Sequence, residues 1–216
     1  EVRDAPTYGT FQYHPSLCPQ HRGPSSINWP IAMGKTRTGL SIFWPDDGLD
    51  EGPMMLQKTC EIGPDETLGD VYFKKLFPMG VDAMIEGLEL VKAGVIIKHN
   101  QRLEDGSYES WFGKAAAKID WSNPAADIYN IIRAANPAPG AWTTIDGSEL
   151  KIYDSARVDG TGTAGEVVSI NEDGVTVQAE GGRILIKRVR PADGGKTAAS
   201  EWAAAAGINT GTKLGS

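Results

Sequence analysis

The stretch FQYHPSLCPQHRGPSSINW, residues 11–29, sets the fold of the first half of the chain. Its first residues are typical of a strand, in which Gln12 and His14 share one face because successive side chains of a strand alternate. Pro15 has no backbone N–H to give to a sheet, so the strand is predicted to end at His14. Ligands of open α/β sheets bind where strands end. His14 is therefore a candidate for chemistry.

A second candidate site is the acidic, glycine-rich loop PDDGLDEGP, residues 45–53, between the strand-like runs TGLSIFW and MMLQKTCEI. One predicted helix and one predicted strand separate its Asp50 from His14, as in a crossover between two parallel neighbouring strands. In that arrangement Asp50 reaches His14. Together with the amide of Gln12, they form a set suited to acyl transfer, in which imidazole and amide stabilise an oxyanion and the carboxylate accepts a proton.

The remaining pattern predicts two domains. Helical spacing covers residues 24–33 and 67–92, with a break at Pro78. Residues 101–121 are polar and aperiodic and are predicted to be a linker between a domain of residues 1–100 and one of residues 122–216. Ser122 is the expected N-cap of the next helix. Four glycine-separated strands then predict a small barrel or sandwich, and a last helix follows over residues 198–206.

Composition restricts the function classes. The chain has 216 residues, a net charge of −7 and 40% hydrophobic residues, which is typical of an ordinary globular protein. The acidic balance disfavours nucleic-acid binding. Two cysteines are too few for a disulfide scaffold and favour a reduced compartment, while no apolar run reaches membrane-spanning length. Cys18 and His21 form a C-x-x-H string, but too few further ligands are available to predict a metal site.

Three segments carry a resemblance to a known family: HPSLCPQHRGPSSINW, TGLSIFWPDDGLDEGPMMLQK and KIDWSNPAADIYNIIRAANPAPGAW. They resemble the formyltransferases that use 10-formyltetrahydrofolate as formyl donor, over nearly the whole chain. The resemblance implies an α/β fold, namely the carboxy-terminal half of a doubly wound, mainly parallel sheet domain followed by a small β-barrel domain. It implies catalytic roles for His14 and Asp50. Gln12 occupies the place of the family's asparagine, which argues against efficient transfer.

The resemblance also implies a set of substrate-binding residues and partners. The binding residues are Ser16, Arg22, Gly23, Gly48 and Leu49. The expected partners are a small-molecule folate and either an amine acceptor or water, in the cytoplasm, without nucleic acid, membrane or metal. The acceptor stays open, with methionyl-tRNA and a nucleotide-linked aminosugar as alternatives. The family's first βα units are not in the chain, so a fragment inactive by itself, or a truncated non-catalytic binding module, is the rival expectation.

Overall fold

The structure, a computed structural model, describes Arg3 and residues 5–215. It divides the chain into two compact units. The first unit holds the described residues up to Ile31 together with Lys35–Trp111, and the second holds Ala32–Gly34 and the described residues from Phe112 onward. The first unit mixes helices with a sheet and the second is mainly β. The predicted α/β class with a following β domain is confirmed.

The sheet of the first unit has three antiparallel strands in the order β1-β2-β3. They are β1 (Gln12–His14), β2 (Arg37–Phe43) and β3 (Met54–Glu61). The predicted mainly parallel sheet, with a crossover between β1 and β2, is therefore wrong for these three strands. The reason is the connection, which holds only the five-residue helix α1 (Asn28–Ala32) and returns the chain alongside β1 in the opposite direction.

A long helical segment covers one face of this sheet. It comprises α2 (Leu68–Val71), a π-helical turn (Tyr72–Leu76) and α3 (Phe77–Lys92). Pro78 lies in the first turn of α3. The predicted break in the helix is a π-helical turn that ends just before α3, and the helical segment continues through it. The buried core between helix and sheet is formed by Leu40, Ile42, Trp44, Met55 and Ala83.

The predicted linker, residues 101–121, is not a separate segment. The unit boundary lies after Trp111, and each part belongs to one unit. In the first part, Ser107 and Glu109 exchange backbone hydrogen bonds with Arg22. In the second part, Ile119 and Trp121 are buried. Polar composition suggested a solvated connection, whereas the polar groups are used in hydrogen bonds.

The second unit begins with α4 (Ala125–Ala134) and ends with α5 (Ala199–Ala206), which Gly207 closes in the left-handed conformation. Ser122 is not the N-cap of α4. Pro124 occupies that position, and the Ser122 hydroxyl donates to Asp120 Oδ1 at 2.6 Å.

Two four-stranded antiparallel sheets make up the rest of the second unit, where sequence patterns had predicted four strands. The segments ELKIYDSARV and GRILIKRVRP, each predicted as one strand, contribute one strand to each sheet. Two further strands, which were not predicted, form the two edges of one sheet. In the order β11-β10-β5-β4 the strands are Thr197–Ala198, Arg188–Pro191, Ser148–Ile152 and Ala141–Ile145; in the order β6-β9-β8-β7 they are Ser155–Val158, Gly182–Ile186, Gly174–Ala179 and Val167–Asn171.

Among the described residues, no helix is both long and apolar enough to cross a membrane.

Candidate active site

His14 ends β1 as predicted, and both of its ring nitrogens face defined partners. Its exposed fraction is 7%. Nε2 lies 3.1 Å from the backbone oxygen of His21, and Nδ1 lies 3.6 Å from Oδ2 of Asp50. A carbonyl oxygen can only accept, so Nε2 carries a hydrogen and donates it. Nδ1 is therefore the nitrogen that is directed toward the carboxylate.

Asp50 is held by groups from two other segments. Its Oδ2 accepts a hydrogen bond from the Gly23 backbone N–H at 2.9 Å, and its Oδ1 accepts one from Gln12 Nε2 at 3.3 Å. Asp50 has a φ of 56°, in the left-handed region that non-glycine residues seldom adopt. Such backbone strain persists only where the surroundings fix it, and it concentrates at functional sites.

The antiparallel sheet explains how the three predicted residues meet. Gln12 is paired with Phe43, the last residue of β2, and the loop carrying Asp50 follows directly. Asp50 therefore folds back over β1 instead of reaching across from a parallel neighbour. The result is a carboxylate that accepts a hydrogen bond from the amide of Gln12 and lies 3.6 Å from the imidazole of His14.

The predicted substrate-binding residues fall into two groups. Gly48 and Leu49 lie in the exposed loop beside Asp50, where a ligand can reach them, and Leu49 is 54% exposed. Three others have structural partners instead. Ser16 is fully buried and donates to the Gln20 backbone oxygen, so a direct ligand contact does not fit.

Arg22 and Gly23 belong to the framework of the site. The Arg22 guanidinium pairs with Glu51, the neighbour of Asp50. Gly23 has a φ of 102°, and a Cβ there would lie 2.6 Å from the Glu109 backbone oxygen. Only glycine fits this position, and its N–H is one of the two donors to the Asp50 carboxylate. Their geometry supports positioning of the acidic loop rather than contact with substrate.

Three residues of the site were missed by sequence reasoning. Gln101 Nε2 donates to the backbone oxygens of Asp50 and Gly52 at 3.0 and 2.7 Å, which anchors the strained loop. His21 and Glu109 pair through Nδ1 and Oε2 at 3.2 Å. Irregular segments far apart in sequence bring these contacts about, and they leave no periodic signal.

The Cys18 thiol is a structural group. It is buried, its backbone N–H donates to Ser41 Oγ at 3.1 Å, and burial raises its pKa above the ordinary value. A thiol with a raised pKa holds little thiolate and is a weak nucleophile. Within the part of the chain that the structure describes, no three His, Cys, Asp or Glu side chains cluster as a metal site would require.

Comparison with known proteins identifies the family. Residues 1–86 match the formyl transferase domain model, and residues 113–207 match the model of the formyl transferase C-terminal domain. Methionyl-tRNA formyltransferase of Geotalea daltonii is 35% identical over 98% of this chain and 68% of its own length. The chain therefore belongs to the formyl transferase family.

Other relatives are longer proteins. Mitochondrial 10-formyltetrahydrofolate dehydrogenase of Mus musculus is 35% identical over 94% of this chain, and cytosolic 10-formyltetrahydrofolate dehydrogenase of Xenopus laevis is 37% identical over the same share. The chain spans about a quarter of their length, 23% and 24%.

Solved structures share the fold. HypX from Aquifex aeolicus in complex with tetrahydrofolic acid superposes with a TM-score of 0.73 at 20% identity, over 90% of this chain and 34% of that one. An N-formyltransferase from Helicobacter canadensis, in complex with folinic acid and dTDP-3-aminofucose, gives 0.66 at 21% identity, over 82% and 65%.

Proposed function

We propose that this chain supplies the catalytic centre for attack on the formyl carbon of 10-formyltetrahydrofolate, by water in hydrolysis or by an amine in transfer. The observation that carries the proposal is the contact set of Asp50. Its two oxygens face the amide of Gln12 at 3.3 Å and the imidazole of His14 at 3.6 Å. Family membership and the names of the relatives support the choice of formyl donor.

Each residue has a defined role in this reaction. The Asp50 carboxylate accepts a proton from the attacking water or amine as the new bond to the formyl carbon forms. Carrying a hydrogen on both ring nitrogens, one of them donated from Nε2 to the His21 oxygen, His14 donates from Nδ1 to the formyl oxygen and stabilises its negative charge. The carbon–nitrogen bond to N10 then breaks and N10 takes up a proton, which gives tetrahydrofolate and either formate or a formylated amine.

The residues near Asp50 are compatible with a folate ligand. Leu49 presents an exposed apolar side chain next to Asp50 in the chain, and Gly48 just before it is also exposed. The formyl group needs one hydrogen-bond donor and one base, and His14 and Asp50 provide them. We place the substrate contacts of this chain at Gly48 and Leu49, and we retain the cytoplasm as its location, which the cytosolic relative supports.

A transfer RNA acceptor is the second candidate, because a methionyl-tRNA formyltransferase matches 98% of the chain. Charge argues against it. Residues 147–216 hold eight Lys or Arg against nine Asp or Glu, whereas a domain that grips an RNA backbone needs a positive excess. We expect no salt-sensitive, micromolar binding of initiator transfer RNA in a filter-binding titration. Binding at that strength would restore this acceptor.

The proposal is tested by incubating the natural protein that contains this chain with 10-formyltetrahydrofolate and measuring tetrahydrofolate and formate. His14→Ala should lower turnover by about 10²-fold or more, the usual contribution of an oxyanion donor. His99→Ala, an exposed histidine, is the matched control and should leave turnover unchanged. A wild-type protein that makes neither product, with or without added amines, would favour a non-catalytic binding module.

A further inference from the structure

His21 connects the candidate active site to a second largely buried contact between a histidine and a carboxylate. Its backbone oxygen accepts from Nε2 of His14 at 3.1 Å, while its own side chain contacts Glu109 at 3.2 Å. The side chains of His21 and Glu109 are only 10% and 13% exposed. Since a carboxylate accepts, Nδ1 of His21 is the donor in this contact. One residue therefore links His14 through its main chain and Glu109 through its side chain.

The backbone of His21 is in a conformation that requires support. Its φ is 55°, in the left-handed region, and in this conformation its carbonyl oxygen faces Nε2 of His14. A histidine there has a β-carbon that crowds the carbonyl oxygen, so local preference favours another conformation. The contact with Glu109 is the interaction of the His21 side chain that opposes this preference.

Glu109 is itself fixed in place by its segment. The His21 backbone N–H donates to Ser107 Oγ at 2.9 Å, and the Glu109 backbone N–H donates to the Arg22 oxygen at 3.2 Å. The Arg22 N–H donates in turn to the Ser107 oxygen at 3.1 Å. Residues 107–109 are therefore hydrogen-bonded alongside residues 21 and 22, and this pairing holds the backbone of Glu109 next to His21.

We propose that Glu109 and His21 are positioning residues that keep a hydrogen on Nε2 of His14, so that a hydrogen on Nδ1 makes the ring the cationic donor that serves the reaction. Without the His21 carbonyl, the Asp50 carboxylate would favour a neutral His14 with its only hydrogen on Nδ1, which is a weaker donor to an oxyanion than a doubly protonated ring, and the ring could also rotate. With the carbonyl in place, Nε2 stays protonated and the ring stays oriented. The catalytic consequence rests on the proposed function, whereas the tautomer of His14 does not.

The direct test is the nitrogen-15 spectrum of the His14 ring in the 216-residue chain, recorded through two-bond couplings across a range of pH. In the wild type we expect the Nε2 signal in the pyrrole-like range at every pH. In Glu109→Ala it should move toward the pyridine-like range as the tautomers mix. Glu109→Gln keeps an oxygen acceptor and should restore the wild-type signal.

Turnover gives the second readout. A wrong histidine tautomer costs about 10⁴-fold in a serine protease, and partial loss of order here should lower kcat by about tenfold or more with little change in KM. Glu104→Ala removes an exposed glutamate of the same segment and is the matched control. His21→Ala should give the same loss, and the double variant should add little to it.

Two results would overturn the proposal. One is a folded Glu109→Ala protein whose His14 Nε2 signal matches the wild type. The other is a fall in kcat that Glu109→Gln does not recover although circular dichroism shows a native fold. A protein without formyl activity would leave the spectroscopic test intact, so failure of the proposed function and failure of this inference can be told apart.

Discussion

At the scale of single residues, the amide of Gln12 orients the acidic group. Its Nε2 donates to Oδ1 of Asp50 at 3.3 Å, and the Gly23 N–H donates to Oδ2. The two donors act on different oxygens and so fix the rotation of the carboxylate. Glutamine has one more methylene than asparagine, and here that length is used to reach the carboxylate of a loop that folds back over the strand.

Removing this amide tests its role. We expect Gln12→Ala to lower kcat by roughly tenfold or more, since a hydrogen bond to a charged group is worth about 1.5–3 kcal/mol. Gln20→Ala, an exposed glutamine of the following loop, serves as control. The measurement is steady-state turnover of 10-formyltetrahydrofolate, and equal rates for Gln12→Ala and wild type would remove Gln12 from the mechanism.

For single residues, the sequence predicted the catalytic candidates better than it predicted the residues that hold them in place. The grouping of Gln12, His14 and Asp50 followed from a strand end, a glycine-flanked acid and a family resemblance. The substrate roles of Ser16 and Arg22 stay predictions, and the sequence did not predict their protein partners, because burial and partner choice depend on tertiary packing that a motif does not encode.

At the scale of elements, hydrogen bonds of Thr67 and Asp70 stabilise the amino-terminal end of the long helical segment. Thr67 caps α2: its Oγ1 accepts from the Asp70 N–H at 3.2 Å, and the Asp70 carboxylate accepts from the Thr67 N–H at 3.0 Å. The hydrogen bond from Lys74, followed by those from Thr67, lowers the pKa of Asp70 to about 2. This reciprocal capping fixes where the helix that covers the sheet begins.

Thr67→Ala should lower the free energy of unfolding by about 1 kcal/mol, the usual worth of an N-cap. Because the folded-state pKa of Asp70 is lowered, the contribution of its carboxylate is complete above the ordinary value of 3.8 and is lost as pH falls toward about 2. The difference between variant and wild type should therefore shrink over that window. Urea titrations at several pH values measure it, with Thr67→Ser as control. A difference that stays constant down to pH 2 would contradict this account.

The elements also show where pattern reasoning ends. Strand and helix positions followed from alternation and helical spacing, and Pro78 correctly marked an irregularity. Strand direction did not follow, because the length of α1 and the path of the connecting loop decide it. The segment GRILIKRVRP was predicted as one strand and forms two. The sequence did not predict this division because the chain passes from one sheet to the other at a single residue, Lys187.

At the scale of the whole molecule, one apolar surface stands out in the first unit. Five exposed apolar side chains follow one face of the helical segment at helical spacing: Phe73, Phe77, Val81, Ile85 and Leu88. The last four of them border a groove of about 370 Å³ that also reaches Tyr13 of β1. Continuous apolar surface of this kind promotes association.

We expect the 216-residue chain to self-associate through this face. Sedimentation velocity over a range of concentrations should show a rising average mass for the wild type. Val81→Glu combined with Ile85→Glu should reduce it, because charges on the face must be desolvated on association. Leu103→Glu, which alters an exposed apolar residue elsewhere in the unit, is the control. A monodisperse wild-type monomer at all concentrations would contradict the expectation.

The most direct test of the central claim is turnover of 10-formyltetrahydrofolate by the natural protein that contains this chain, compared with its Asp50→Asn variant. Asparagine keeps the shape and an oxygen acceptor for Gly23 but cannot take a proton at neutral pH. We predict that wild type releases tetrahydrofolate with formate or a formylated amine, and that Asp50→Asn is slower by about a hundredfold or more. Equal rates for the two proteins would show that the site built on His14 and Asp50 does not carry the reaction.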